Sequence, residues 1–207
     1  MNLEPLTPER RRQQTREHLL AAAAEVFAER GFHGASLDEV AAVAGFTKGA
    51  VYSNFKNKED LFLALFKANY DREMDAIRGA LEDSEVPPED RVPQFVSLIR
   101  DQTAKSGHNF NLLYQEFSLY AARNPEIRQE LTRIDDEGAQ ELADILEAER
   151  KRVGLEPLAS PLQTARIIEM LFRGIGQLRV LQPDVADDDF VEAAIAFVAR
   201  ALGDPID

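Results

Sequence analysis

The side chains best suited to chemistry lie in one run, TKGAVYSNFKNKEDL, from Thr47 to Leu61. Lys48, Lys56 and Lys58 carry ammonium groups, while Thr47, Tyr52, Ser53 and Asn54 carry uncharged hydrogen-bond donors. Such groups suit phosphate oxygens and base edges rather than the making and breaking of bonds. Lys48 can donate to a guanine or to a phosphate, and Tyr52 and Lys58 suit phosphates. Small Gly49 and Ala50 would let a backbone come close to bases, and the Ala50 methyl can touch a thymine methyl. Val51 and Phe55 stand at helical spacing and would face inward, leaving the polar residues outside.

Other chemistries find no support. There is no cysteine, so no thiolate ligand, cysteine nucleophile or disulfide is available. His18, His33 and His108 are too scattered for a metal site, which needs ligands clustered at local spacings. No carboxylate pair, nucleotide loop or nucleophile motif stands out. No catalytic residue, metal ligand or cofactor is therefore expected, and the chain does not read as an enzyme.

A formal charge of −13 over 207 residues argues against binding an anionic polymer. The charge is unevenly spread, however. Residues 1–67 hold nine basic and nine acidic side chains of the 24 and 37 present, so all the excess acid lies beyond residue 67. Such asymmetry suggests different partners for the two segments. Repulsion from an acidic second domain is screened beyond about 8 Å at physiological salt. The first twenty residues carry charges where a signal peptide needs an apolar core, and no apolar run reaches the ~20 residues of a membrane span. A soluble, cytoplasmic protein without membrane contact is expected.

The elements that must position these residues read as helices. Thr7-Pro8 is an N-cap followed by proline at the first helical position, and that helix should stop at Gly31. Ser36-Leu37-Asp38-Glu39 is a capping box opening a short helix, Leu37 to Ala44, that ends at Gly45. Thr47 caps a third helix reaching about Phe55, and a fourth starts near Asn57. Asp83 to Arg91 reads as a linker. Further helices are expected over 89–105, 109–123, 125–153, 161–181 and 187–202, with a possible kink at Gly138. The fold class is all-α with about nine helices: a three-helix domain over 1–57 and a larger helical domain over 58–207.

Two short helices joined by a tight glycine turn form a helix-turn-helix, whose second helix enters the major groove. The spaced residues Ala23, Phe27, Gly31, Phe32, Ser36, Val40, Ala41, Ala44, Gly45, Gly49, Tyr52, Phe55, Lys58, Glu59 and Leu61 resemble the DNA-binding domain of the TetR family of transcriptional repressors. The resemblance implies a homodimer that binds a near-palindromic operator and is released by a small-molecule effector. By analogy Thr47, Lys48, Gly49, Ala50, Tyr52, Asn54 and Lys58 contact DNA, with Ser53 also placed there and Ser36 both capping its helix and meeting phosphate. Asp38 departs from that role, since a carboxylate repels phosphate; it would support its helix start. Arg10, Arg11, Arg12 and Arg16 form either a frayed helix start or a phosphate-binding arm.

The second domain resembles TetR effector domains more loosely, through 113–131 and 172–184. In such proteins the last two helices pair with those of the dimer mate. The stripes Leu162, Ala165, Ile168, Phe172, Ile175 and Phe190, Ala194, Phe197, Ala201 supply that face or the internal core. An effector pocket between helices would draw on Phe95, Ile99, Tyr114, Phe117, Tyr120, Leu142, Met170, Phe172, Arg173 and Gln177; each also fits plain core packing. Arg173 and Gln177 would hold a ligand's polar end, pair with an acid such as Glu116, or lie in the dimer interface.

Overall fold

A computed structural model describes residues 7–81, 107–154 and 159–203. Among these the helices are α1 (Pro8–Gly34), α2 (Leu37–Ala44), α3 (Lys48–Asn54), α4 (Lys58–Leu81), α5 (Gly107–Ala122), α6 (Pro125–Val153), α7 (Pro161–Leu181) and α8 (Asp188–Gly203), with no strand. The all-α reading holds. The helix expected over 89–105 and the linker at 83–91 lie outside the described residues.

Local signals fix the ends. The Thr7 hydroxyl accepts from the Arg10 amide at the start of α1. Ser36 and Glu39 satisfy each other's amides in the expected capping box, and Ser160 with Gln163 repeats the device at α7. The Asn57 carboxamide accepts from the Asp60 amide at 2.7 Å to open α4. One boundary differs. Helix α1 does not end at Gly31 but breaks there, at φ +69°, and resumes to Gly34. The break exposes the Phe32 and His33 amides, and Glu116 supplies the missing acceptor. Its two carboxylate oxygens accept from them at 2.9 and 3.1 Å.

The chain divides into two compact units. The first comprises the described residues of Met1–Ala68 and Leu113–Leu131. Its core is Leu19, Ala23, Val26 and Phe27 of α1, Val40 and Ala41 of α2, Val51 and Phe55 at α3, and Leu61 and Phe62 of α4. An aromatic cluster adds Phe117 from α5, stacked on Phe62 with centroids 4.1 Å apart and edge-on to Phe32 at 4.8 Å. Offset and edge-to-face pairs at such separations each add about 0.5–1.5 kcal/mol beyond burial.

The second unit comprises the described residues of Asn69–Leu112 and Thr132–Asp207. It buries Tyr70, Met74 and Ile77 of α4, Ile134, Ala139 and Leu142 of α6, Ile168 and Ile175 of α7, and Val191 of α8. Helix α6 is a single element through Gly138, although a glycine there allows a kink. The glycine serves close approach instead: a Cβ there would overlap the Tyr70 ring.

Candidate nucleic-acid interface

Helices α2 and α3 meet at a turn that only a left-handed residue closes. Gly45 adopts φ +70°, its amide donates to the Ala41 and Ala42 carbonyls, and the Phe46 amide reaches Ala41 O at 3.0 Å. This is a Schellman stop, and it ends α2 abruptly enough for Thr47 to cap α3 two residues later, accepting from the Ala50 amide. Val51 and Phe55 are then fully buried. The period of the helix turns Thr47, Lys48, Gly49, Tyr52 and Ser53 outward, with Ala50 and Asn54 at the margin. Tyr52 is 57% exposed, unusual for so large a ring without an outside partner.

Gly49 carries a further signal. A Cβ there would meet only Thr47 Oγ1, at an ordinary 3.7 Å. Nothing inside the protein requires a glycine in this helix, where alanine is favoured by up to ~1 kcal/mol. Space outside the helix is the remaining reason.

Proton inventories separate the expected contacts. The Thr47 hydroxyl accepts its cap bond, and neither its own proton nor the Tyr52 phenol finds a partner among the described residues. Ser53 Oγ and Asn54 Nδ2 both donate to Ala50 O, at 2.9 and 2.8 Å. Ser36 Oγ donates to Glu39 at 2.8 Å, so a phosphate must compete with that carboxylate for its proton. The Lys58 ammonium donates to His33 O and Ala35 O at 3.2 and 3.1 Å, above the Phe32 ring. It closes the end of α1 and keeps one N–H for an outside acceptor. Lys48 pairs with Asp38.

The N-terminal arginines belong to a formed helix start rather than a frayed one. From Pro8 onward they lie within α1, and two of them serve α3. Arg12 donates to Ser53 O at 3.4 Å, and Arg16 to Asn54 O at 3.2 Å with its guanidinium 4.4 Å above the Phe55 ring. The last carbonyls of a seven-residue helix have no internal donors and form its negative end, so cations there satisfy both needs. Sequence spacing gave no sign of these bonds, which join residues 38–41 positions apart.

The residues expected around an effector pocket divide between the units. Phe117 is fully buried in the first, with Tyr114 against Phe66 and the Tyr120 hydroxyl donating to Glu59 at 2.8 Å. That bond holds the Tyr120 phenol above its ordinary pKa. In the second unit Leu142 is buried, Phe172 half-buried beside Ile175 and Val191, Met170 64% exposed, and Gln177 exposed. Phe95 and Ile99 lie outside the described residues. Of the options for Arg173, it pairs with an acid, Asp135, at 2.8 Å, while the Glu116 oxygens accept from the Phe32 and His33 amides. A groove of about 770 Å³ in the second unit runs along α6 and is lined by none of these residues; Arg78, Asp136, Glu141 and Asp144 are among its walls.

The stripes on α7 and α8 also divide. Ala165, Ile168 and Ile175 belong to the internal core, one of the two places expected for them. The outward large apolar residues described are Leu162, Ile167, Met170 and Leu181 on α7 and Phe190 and Phe197 on α8. The Ala201 side chain lies outside the described residues.

Residues 19–65 match the family model described as bacterial regulatory proteins, tetR family. The HTH-type transcriptional repressor NemR of Escherichia coli K12 is 26% identical over 196 residues, covering 92% of this chain and 95% of NemR. The chain carries a TetR-family DNA-binding domain. The HTH-type transcriptional activator FasR of Mycolicibacterium smegmatis is 41% identical over 70 residues, 34% of this chain and 32% of FasR. That match thus spans about a third of FasR's length. In fold, the chain is similar to the FadR regulator of Bacillus subtilis crystallised with stearoyl-CoA. The TM-score is 0.68 at 22% identity, over 92% of this chain and 99% of that one. The chain is thus a DNA-binding transcriptional regulator, and its family and relatives are regulators rather than enzymes. No helix among the described residues is long and apolar enough to cross a membrane.

Proposed function

We propose that this regulator is a homodimeric, ligand-responsive repressor that leaves its operator when a small molecule binds. The observation that carries the DNA-reading part is the outward face of α3: Thr47, Lys48, Gly49, Tyr52 and Ser53 exposed over a buried Val51 and Phe55. Residues 1–57 form the reader, and 58–207 the effector and dimer domain. Thr47, Tyr52, Lys58 and Ser36 contact phosphates, Lys48 and Ala50 meet base edges, and Gly49 permits the approach. Ser53 donates to DNA only by giving up its bond to Ala50, whereas Asn54 keeps its carboxamide oxygen as an acceptor for a base-edge donor. Phosphate contacts fix register, and base contacts specify.

Dimerisation is supported by Leu162, Ile167, Met170, Phe190 and Phe197, apolar side chains standing outward on the last two helices. A dimer places two recognition helices about one DNA turn apart, ~34–36 Å, or a multiple of it, which asks for a near-palindromic operator. The effector is expected among Leu142, Phe172, Arg173 and their neighbours, with no metal or other cofactor. A ligand that prefers a form with the wrong spacing draws the population off DNA, and DNA weakens the ligand equally. Helix α4, continuous from Lys58 to Leu81, is the element through which the signal passes. Action of this kind is cytoplasmic.

Binding to a duplex selected from a random pool, across a salt series, tests the reading. A regulator shows specific affinity of about 10⁻⁸–10⁻¹¹ M and a steep negative salt slope. Micromolar binding without sequence preference sinks it. Stearoyl-CoA, the compound bound by the FadR relative, heads the effector panel. A compound that binds tightly yet leaves operator affinity unchanged is not the effector.

A further inference from the structure

We propose that Asp38 is a positioning residue that aims the Lys48 ammonium at base edges and keeps it from the phosphate backbone. The inference rests on the DNA-reading function above. Asp38 stands in the first turn of α2 and Lys48 opens α3, so their ion pair spans the turn between the two helices. The capping of α2 does not need Asp38, because Ser36 and Glu39 already satisfy each other there. Both side chains remain outward, Lys48 67% and Asp38 50% exposed.

A lysine on a flexible four-carbon stem is drawn to any nearby phosphate, and such contacts carry no sequence information. An ammonium has three N–H groups. With one held by Asp38, two remain, and the adjoining surface is open: Gly49 has no side chain, and Ala50 has only a methyl. A guanine edge offers O6 and N7 to a lysine in that position, and Lys48 reaches it without leaving Asp38. A phosphate offered the same two N–H groups must instead bring its charge up to that carboxylate, which an uncharged guanine edge does not. An exposed pair resists this by no more than about fivefold in an equilibrium constant. The arrangement therefore lowers non-specific binding while leaving the matched complex its full contact.

The test uses the full chain with Asp38→Asn and Lys48→Gln, singly and together, after circular dichroism confirms the fold. Asp38→Ser serves as a second variant compatible with a helix start. Two probes are measured between about 50 and 200 mM salt: the duplex selected by the wild type and a scrambled duplex of equal length. Asp38→Asn is expected to tighten the scrambled duplex by up to about fivefold and steepen its salt slope by about 0.9, one phosphate contact. The selected duplex does not gain, so the discrimination ratio falls. In the Lys48→Gln background Asp38→Asn leaves the ratio unchanged. Equal gains on both duplexes would make Asp38 a simple brake and overturn the proposal, as would no change on either or a fall in the ratio that persists without Lys48. If the wild type binds neither duplex specifically, the DNA-reading function itself fails and takes this inference with it. If it binds with the expected slope, only the role of Asp38 is at stake.

Discussion

Gly49→Ala should stabilise the free protein and weaken its hold on DNA. The two effects have different origins. In the free protein the new methyl meets only Thr47 Oγ1 at van der Waals distance, so it introduces no clash. It removes the conformational freedom that glycine gives the unfolded chain, a gain of roughly 0.5–1 kcal/mol. For a chain of this length that raises the melting temperature by about 1–4 °C. On DNA the same methyl occupies the space through which the backbone approaches the bases. Forcing a methyl into a close-packed contact costs about 1–3 kcal/mol. At 1.4 kcal/mol per factor of ten, operator affinity falls by about 5- to 150-fold. Thermal melting followed by circular dichroism reads the first effect, and fluorescence anisotropy with the selected duplex reads the second. A raised melting temperature with unchanged affinity would refute the reasoning, because nothing would then come close to Gly49. A lowered melting temperature would show that the space beside it is not open.

Arg16→Met keeps an aliphatic stem over Phe55 but removes the donor to Asn54 O and the cation above the ring. We expect a loss of about 1 kcal/mol in urea unfolding, with Arg16→Lys recovering part of it as a point charge; equal midpoints for all three proteins would contradict this. Gly138→Ala should destabilise by about 1–3 kcal/mol although alanine is the better helix former, because its Cβ overlaps the Tyr70 ring. Combining it with Tyr70→Leu should restore much of the loss, and simple additivity of the two changes would argue against the overlap. Glu169 has a side chain 9% exposed, accepts from the Tyr70 hydroxyl and lies 3.5 Å from Arg166. Burial pushes its pKa up to about 7, with Arg173 pulling the other way. The raised value favours the folded state below the unfolded pKa of about 4.3, and that contribution is lost as pH rises towards 7. The stability difference between wild type and Glu169→Gln should therefore shift across this window and stay level above it; parallel curves from pH 4 to 8 would rule this out.

The parts legible in the sequence were those written in local patterns. Thr7-Pro8, the Ser36–Glu39 box and Gly45 each act within about four residues, so reading them in order placed the first two helix starts and the turn before the third. Helical period alone separated buried Val51 and Phe55 from exposed Tyr52. The illegible parts join distant positions. Glu116 looked like one acid among many until its carboxylate met amides 83 and 84 residues away. Phe117 and Tyr120 suit a ligand pocket by type, and only the fold places them with Phe32 and Phe62. The basic residues were visible, but their internal bonds were not. A lysine that closes a helix and a lysine that awaits a phosphate have the same letter.

The hold of Glu116 on Phe32 and His33 has a consequence for recombination. The DNA-reading unit is not a cassette that one cut can detach. A chimaera joined at residue 68 would carry two amides without their carboxylate, and the Phe32 and Phe62 rings without Phe117 to cover them. Exchanging readers between such regulators therefore calls for two crossovers, so that residues 113–131 travel with the segment they complete.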